Sequence, residues 1–379
     1  MSVKSLVLYF ATNVFSKGGI ERYTRAQIQA LRELVGNRKV TTLVLHGPGS
    51  DQIEEPFSVE FIGKGPSVMG RLHFCVRATI ECVFKRPNLV WTNHIGLLPL
   101  ANAVMRLINN SRVIVNVYGL EVWSGLPNYK RLALVRAKHV VSDCHFTANY
   151  VMNRFGVPRD RISVIWDPVD VHKFSPRKVN PQTLARYGAQ YRSNACYVMT
   201  LGRISKASRH KGYDRMLDVM KQINRNNLIY LIAGDGDDRR RLEQRVTDEG
   251  LAKRVFFLGS VHERDLVDIY NVADIFALIC DRGKDRGEGV PLTPLEAAAC
   301  GIPIIVGNED GSPEAVKDGE NGYVVSPRNL KGIRSAILRL ADNPTLRIAM
   351  GRSGRLTMER EFSYNAFKKR TREMLNSLC

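Results

Sequence analysis

Long apolar runs are missing from this sequence. The longest, residues 95–108, is broken by Pro99 and Arg106 and falls short of the roughly 20 residues that cross a bilayer, so no membrane-spanning helix is expected. The apolar start at 5–11 is short for a signal peptide and lacks a convincing cleavage site; it reads as a buried first strand. The seven cysteines (Cys75, Cys82, Cys144, Cys196, Cys280, Cys300 and Cys379) are odd in number and never spaced Cys-x-x-Cys. That suggests neither a disulfide framework nor a zinc site, and points to a reducing, cytoplasmic compartment. Repeats and low-complexity tracts are absent as well. What remains is ordinary for a folded chain, with 44% hydrophobic and 25% charged residues over 379 positions. At about 150 residues per domain, two domains are expected.

Acidic residues are also in short supply. Fifty-six Lys and Arg face 37 Asp and Glu, a net charge of +19, of which +13 falls in residues 1–186 and +6 in the remainder. In the first half the cations are interleaved with apolar residues: Arg71, Arg77, Lys85 and Arg86 beside Val68, Leu72, Phe74 and Val76, then Lys130, Arg131, Arg136 and Lys138. Such a surface suits anionic headgroups, a phosphate-bearing acceptor or nucleic acid, while a plain solvated face explains it equally well.

Short β-branched runs alternate with longer amphipathic ones, the pattern of parallel βαβ units with helices on both faces. Strands are expected at 5–10, 40–45, 89–92, 113–117, 139–142 and 162–165, and in a second series at 197–201, 228–233, 255–258, 275–279, 302–306 and 323–325. The polar stretch 167–194 between the series has no sustained periodicity and is the best boundary. An α/β architecture of two doubly wound parallel sheets follows, with a ligand expected in a cleft between the domains.

The run Gly287-Glu288-Gly289-Val290-Pro291-Leu292-Thr293-Pro294-Leu295-Glu296, ending in Cys300-Gly301-Ile302-Pro303, carries the strongest signal. Thr293 suits an N-cap, Pro294 the first helical position and Gly301 a stop, so a helix is expected over about 294–300. Its free amides, with those of Gly289 to Leu292, favour an anion. Glu296 reads either as a ligand to hydroxyls or as the partner of Thr293 in a capping box.

These residues resemble the signature of retaining GT-B-fold glycosyltransferases, especially glycosyltransferase family 4. Gly18-Gly19-Ile20-Glu21 is similar to that family's N-terminal glycine loop, Leu201-Gly202-Arg203 with Lys211-Gly212 to its Arg/Lys pair, and Ala233-Gly234-Asp235-Gly236, Phe257-Leu258-Gly259 and Val169-Asp170 with Phe174 to its remaining motifs. The ordered match runs along nearly the whole chain. It implies a GT-B fold: two Rossmann-like domains, 1–178 (completed by a C-terminal helix at 362–379) and 179–361, facing a central cleft.

The resemblance further implies transfer of a hexose from a nucleotide sugar to a saccharide or lipid-linked acceptor in polysaccharide or glycolipid biosynthesis, with UDP-glucose the first donor considered and GDP-mannose the second. Arg203 and Lys211 would neutralise the departing diphosphate, Glu288 bind the donor sugar, Glu296 the ribose, and Gly289, Val290, Pro291 and Leu292 hold phosphate. Gly18 and Gly19 would approach from the other domain. Tyr118 stands where many relatives carry a histidine beside the sugar, and His94 is a second acceptor-side candidate. Asp235-Gly236-Asp237 resembles a metal-binding Asp-x-Asp, but it opens a basic helix and reads better as N-capping acids. No metal or other cofactor is expected, no nucleic-acid partner, and a peripheral contact with anionic membrane. A nucleotide-sugar epimerase on the same fold and a non-catalytic polyanion- or membrane-binding protein are the alternatives.

Overall fold

The computed structural model describes residues 6–47, 59–65, 67–110, 112–283 and 286–378. Ser5 and Cys379, which the sequence places in the first strand and the last helix, lie outside them. Contacts divide the chain into two compact units, Met1–Pro168 with Tyr364–Cys379, and Val169–Ser363.

In the first unit a seven-stranded sheet is built from β1 (Val7–Ala11), β2 (Val40–Val44), β3 (Phe61–Ile62), β4 (Leu89–Thr92), β5 (Val113–Val117), β6 (His139–Ser142) and β7 (Ile162–Val164) in the order β3-β2-β1-β4-β5-β6-β7. The pairings between these strands are all parallel. Alternate residues of β1 feed two separate cores. Leu8 and Phe10 pack with Phe74, Leu98 and Leu134, while Val7, Tyr9 and Ala11 pack with Ile28, Leu31 and the last helix, Tyr364–Ser377, through Phe367 and Leu375. That alternation is what a sheet covered on both faces requires. The two-residue β3 was not foreseen, because a pair of residues carries no readable period.

In the second unit β8 (Cys196–Leu201), β9 (Leu228–Ala233), β10 (Val255–Gly259), β11 (Ile275–Leu278), β12 (Ile304–Gly307) and β13 (Gly322–Val325) form a parallel sheet in the order β10-β9-β8-β11-β12-β13. The expected α/β architecture of two parallel sheets is therefore present. The division falls at Pro168 instead of at 178, because residues 169–178 are tied to the second unit. The Val169 amide donates to the Phe362 carbonyl at 2.8 Å, Asn271 Nδ2 to the Ser175 carbonyl at 3.1 Å, and Arg355 to the Phe174 carbonyl at 2.6 Å. Among the described residues no helix is long and apolar enough to cross a membrane.

A buried polar network crosses the first sheet. Asn116 on β5 accepts from Trp91 Nε1 at 2.7 Å and donates to Gln27 Oε1 at 2.7 Å and to the Tyr118 hydroxyl oxygen at 3.0 Å. Asn116 and Tyr118 are two apart and so share a face of the strand. Asn116→Ala should lower stability by about 2–3 kcal/mol, since it strands the buried indole N–H. The denaturant midpoint of the full chain checks this; an unchanged midpoint would show the network to be idle.

Candidate functional site: a carboxylate clamp at the reversal point of the second sheet

The second sheet runs outward from β8 through β9 to β10, then resumes at β11 on the other side of β8. The carboxyl ends of β8 and β11 thus flank the point where strand order reverses, the place where open parallel sheets hold ligands. Arg203 lies in the loop after β8, followed by the 3-10 turn Lys206–Lys211, and Glu288 lies in the loop after β11. Gly212 lets these loops meet. Its φ is +83°, and a Cβ there would sit 2.3 Å from the Ile279 carbonyl oxygen, a position open to glycine alone.

Lys211 Nζ donates to Glu288 Oε1 at 2.6 Å, and His210 Nε2 lies 2.9 Å from the same oxygen. The three side chains are mostly buried, exposed by 16%, 22% and 7% for Lys211, Glu288 and His210. Burial by itself pushes the Glu288 carboxyl up, but the Lys211 charge and the hydrogen bonds from His210 and Lys211 overcome it and hold the group at about 2. Glu288 is therefore ionised at neutral pH, and His210 Nε2 carries the proton it shares with it, because an ionised carboxylate only accepts. Desolvation works against the Lys211 ammonium too, yet Glu288 keeps its pKa above the ordinary lysine value. The Glu288 amide donates to Asp310 Oδ2 at 3.0 Å, and the Ser312 amide to Asp310 Oδ1 at 2.9 Å. Burial pushes the Asp310 carboxyl up to about 6 against these bonds.

The helix after this loop is Leu292–Ala299, begun by Pro291 with no side-chain cap. Thr293 is thus inside the helix, not its cap, and the capping box does not form. Instead the hydroxyl of Tyr270 donates to Glu296 Oε2 at 2.7 Å, and Glu296 is only 3% exposed. Pro291 and Pro294 have no N–H, which removes two of the four donors a helix start normally offers. Pro291 therefore cannot hold phosphate through an amide. The amides of Gly289, Val290, Leu292 and Thr293 make no hydrogen bond among the described residues. Arg203 is exposed and has no side-chain partner among the described residues.

Asp235 and Asp237 do not cap a helix by their side chains. Asp235 accepts from the Gly236 amide at 2.8 Å and Asp237 from the Lys206 amide at 2.9 Å, while the helix Arg239–Asp248 starts at Asp238 with no side-chain cap bond. Asp237 thus ties down the loop that carries the turn Lys206–Lys211, while Asp235 stays on its own loop and pairs with Arg239 at 3.4 Å.

Two family models cover the chain: Glycosyltransferase Family 4 matches residues 17–173 and Glycosyl transferases group 1 matches residues 194–357. The chain is 30% identical over 275 residues to a GDP-mannose-dependent alpha-(1-6)-phosphatidylinositol monomannoside mannosyltransferase of Mycobacterium tuberculosis, covering 70% of each protein. It is 27% identical over 363 residues to the protein of the same description in Mycolicibacterium smegmatis, covering 92% of each. The chain belongs to glycosyltransferase family 4. Among solved structures, Anabaena HepE in complex with UDP superposes with a TM-score of 0.77 at 16% identity, over 98% of this chain and 100% of that one, which gives the GT-B fold.

In this family 4 glycosyltransferase the remaining sequence-named residues lie in the first unit, again around a reversal of strand order, here between β1 and β4. Gly18 and Gly19 open the helix Gly19–Val35 after β1, and His94 follows β4. His94 Nδ1 accepts from the Gly96 amide at 3.0 Å, and burial together with Lys130 holds its pKa below the ordinary histidine value. Tyr118, the other residue expected on the acceptor side, follows β5. It is 8% exposed, its hydroxyl is engaged by Asn116, and its ring meets Tyr23 edge-on at 5.3 Å, so it is a core residue of the first unit.

His210 and Asp310 escaped the sequence reading. For His210 the available signal was its position beside Lys211; Asp310, twenty-two residues beyond Glu288, offered none.

Two consequences can be measured. Lys211→Met and Glu288→Gln each strand the other's buried charge and should each cost about 2–4 kcal/mol, while the double variant should cost less than their sum by about 1–3 kcal/mol. Strict additivity in denaturant unfolding would show that the pair is not coupled. Asp310 has a folded pKa of about 6 against an ordinary 3.8, so its protonated form favours the fold and that contribution is lost as pH rises through about 6. Asp310→Asn should therefore raise the melting temperature more at pH 7.5 than at pH 4; an equal effect at both would refute the assignment.

Proposed function

We propose that the chain is a retaining mannosyltransferase that moves mannose from GDP-mannose to a lipid-linked acceptor. The carrying observation is the ionised Glu288, held through Oε1 by Lys211 and His210, beside four amides, at Gly289, Val290, Leu292 and Thr293, that are unbonded among the described residues.

Lys211 has three N–H donors and spends one on Glu288, which leaves two for a diphosphate. Arg203 adds a planar fork of donors, and the amides with the helix end complete a cradle for an anion. Glu288 Oε2 remains available to accept from sugar hydroxyls. At a pKa of about 2 this carboxylate is not a proton donor in the reaction. When the bond from the anomeric carbon to phosphate breaks, its electron pair leaves with GDP, and the two cations and the amides stabilise the growing charge. The acceptor oxygen bonds to the anomeric carbon on the face the diphosphate leaves, and its proton passes to a departing phosphate oxygen. The scheme uses no metal and no protein base. Glu296, buried against Tyr270, is assigned to the ribose.

The donor ranking drawn from the sequence, with UDP-glucose first, is reversed here. Relatives that align along most of both chains carry names that specify GDP-mannose and a phosphatidylinositol mannoside, which supports mannose as the sugar and a lipid-linked acceptor.

GDP-mannose at about a hundred times its Kd should add about 2.7 kcal/mol and raise Tm by roughly 5–10 °C, with UDP-glucose giving a smaller shift. NMR of the transferred sugar should show an α linkage from the α donor, undiminished by EDTA. A larger shift with UDP-glucose would overturn the donor, and a β product the retaining course.

A further inference from the structure

The helix Val68–Lys85 is apolar on both sides. Its inner side places Phe74, Ala78 and Cys82 in the core of the first unit. At about 100° per residue, Val68, Met69, Leu72, Val76, Ile80 and Phe84 share the opposite arc, about 160° wide. These side chains stand in solvent: Val68 is 80% exposed, Met69 72% and Phe84 83%. An exposed apolar face of this extent on a helix whose other side is already packed marks an interaction surface.

Among the described residues, the exposed charges at its ends are basic. Lys64, Arg71 and Arg86 are exposed at its two ends, and its own acid, Glu81, is neutralised by Arg77 at 2.5 Å and Lys85 at 2.9 Å. Two copies of this face brought together would oppose like charges. The area also falls short of a dimer interface: 18 residues span about 27 Å, and at about 12 Å wide the strip offers on the order of 300 Å² per copy, against about 800 Å² per partner in stable complexes. A bilayer surface needs no such minimum, and anionic headgroups complement the rim.

We propose that this outer face inserts into the surface of an anionic bilayer, with the apolar side chains supplying the binding and the basic rim selecting anionic headgroups. The idea deepens the lipid-acceptor reading and rests on it for its purpose. It also reverses the weight given to charge, because Arg77 and Lys85 are occupied by Glu81.

The test is co-sedimentation of the full chain with phosphatidylcholine vesicles, with and without 30% phosphatidylglycerol, at about 0.1 and 0.5 M salt. Wild type should bind the anionic vesicles at both salt concentrations and the neutral ones more weakly. Met69→Gln with Phe84→Gln should weaken binding at least tenfold while leaving the GDP-mannose thermal shift unchanged. Independently, Phe84→Trp should show blue-shifted emission with vesicles and quenching by brominated lipid chains. Wild-type affinity in the Met69/Phe84 double variant, an emission maximum of the Phe84→Trp variant that vesicles leave unmoved, or a dimer in sedimentation equilibrium that the double variant dissolves would each overturn the proposal. The thermal shift is read on the same samples, so a chain that binds vesicles but no nucleotide sugar would defeat the donor reading alone.

Discussion

A parallel sheet that reverses its strand order delivers the ends of two diverging strands to one edge, and the site in the second unit exists because of that constraint. Arg203 follows β8 and Glu288 follows β11. Their loops originate 77 residues apart in sequence (201 to 278, the end of β8 to the end of β11) and are brought side by side by the β8–β11 pairing. A side chain at position 212 would collide with the end of β11, so the closeness of the two loops depends on a glycine as much as on the cations.

Charge in that place behaves differently from charge on the surface. The Lys211–Glu288 pair is largely withdrawn from water, so each charge needs the other and neither is easily removed. Arg203 is exposed, where water screens it, and gains strength only when a ligand displaces that water. The site thus combines a fixed carboxylate, a fixed ammonium and an exposed guanidinium. Asp310 accepts from the Glu288 amide and so restrains the loop on which the carboxylate rides. Pre-organised groups of this kind lower a barrier without having to reorganise when charge moves.

Surface chemistry on the first unit follows another balance. The net charge of +19 draws attention to cations, yet on the helix Val68–Lys85 two of them are bound to Glu81 and the largest exposed side chains are hydrocarbon. Burial of such area is favourable at any salt concentration, whereas attraction between exposed charges fades within a Debye length of about 8–10 Å.

Periodicity and turn chemistry determined the strands, because a doubly covered parallel sheet needs continuous β-branched runs and those are visible residue by residue. The order of the motifs likewise determined the family. Tertiary structure decided the rest. Thr293 looked like a cap, but the chain turned helical two residues sooner, and Glu296 went to Tyr270. Tyr118 was legible as a position beside β5, but its burial against Asn116 and Tyr23 was not. His210 and Asp310 became partners of Glu288 across 78 and 22 residues, a proximity that arises only once separate strand ends share an edge and that no local pattern encodes.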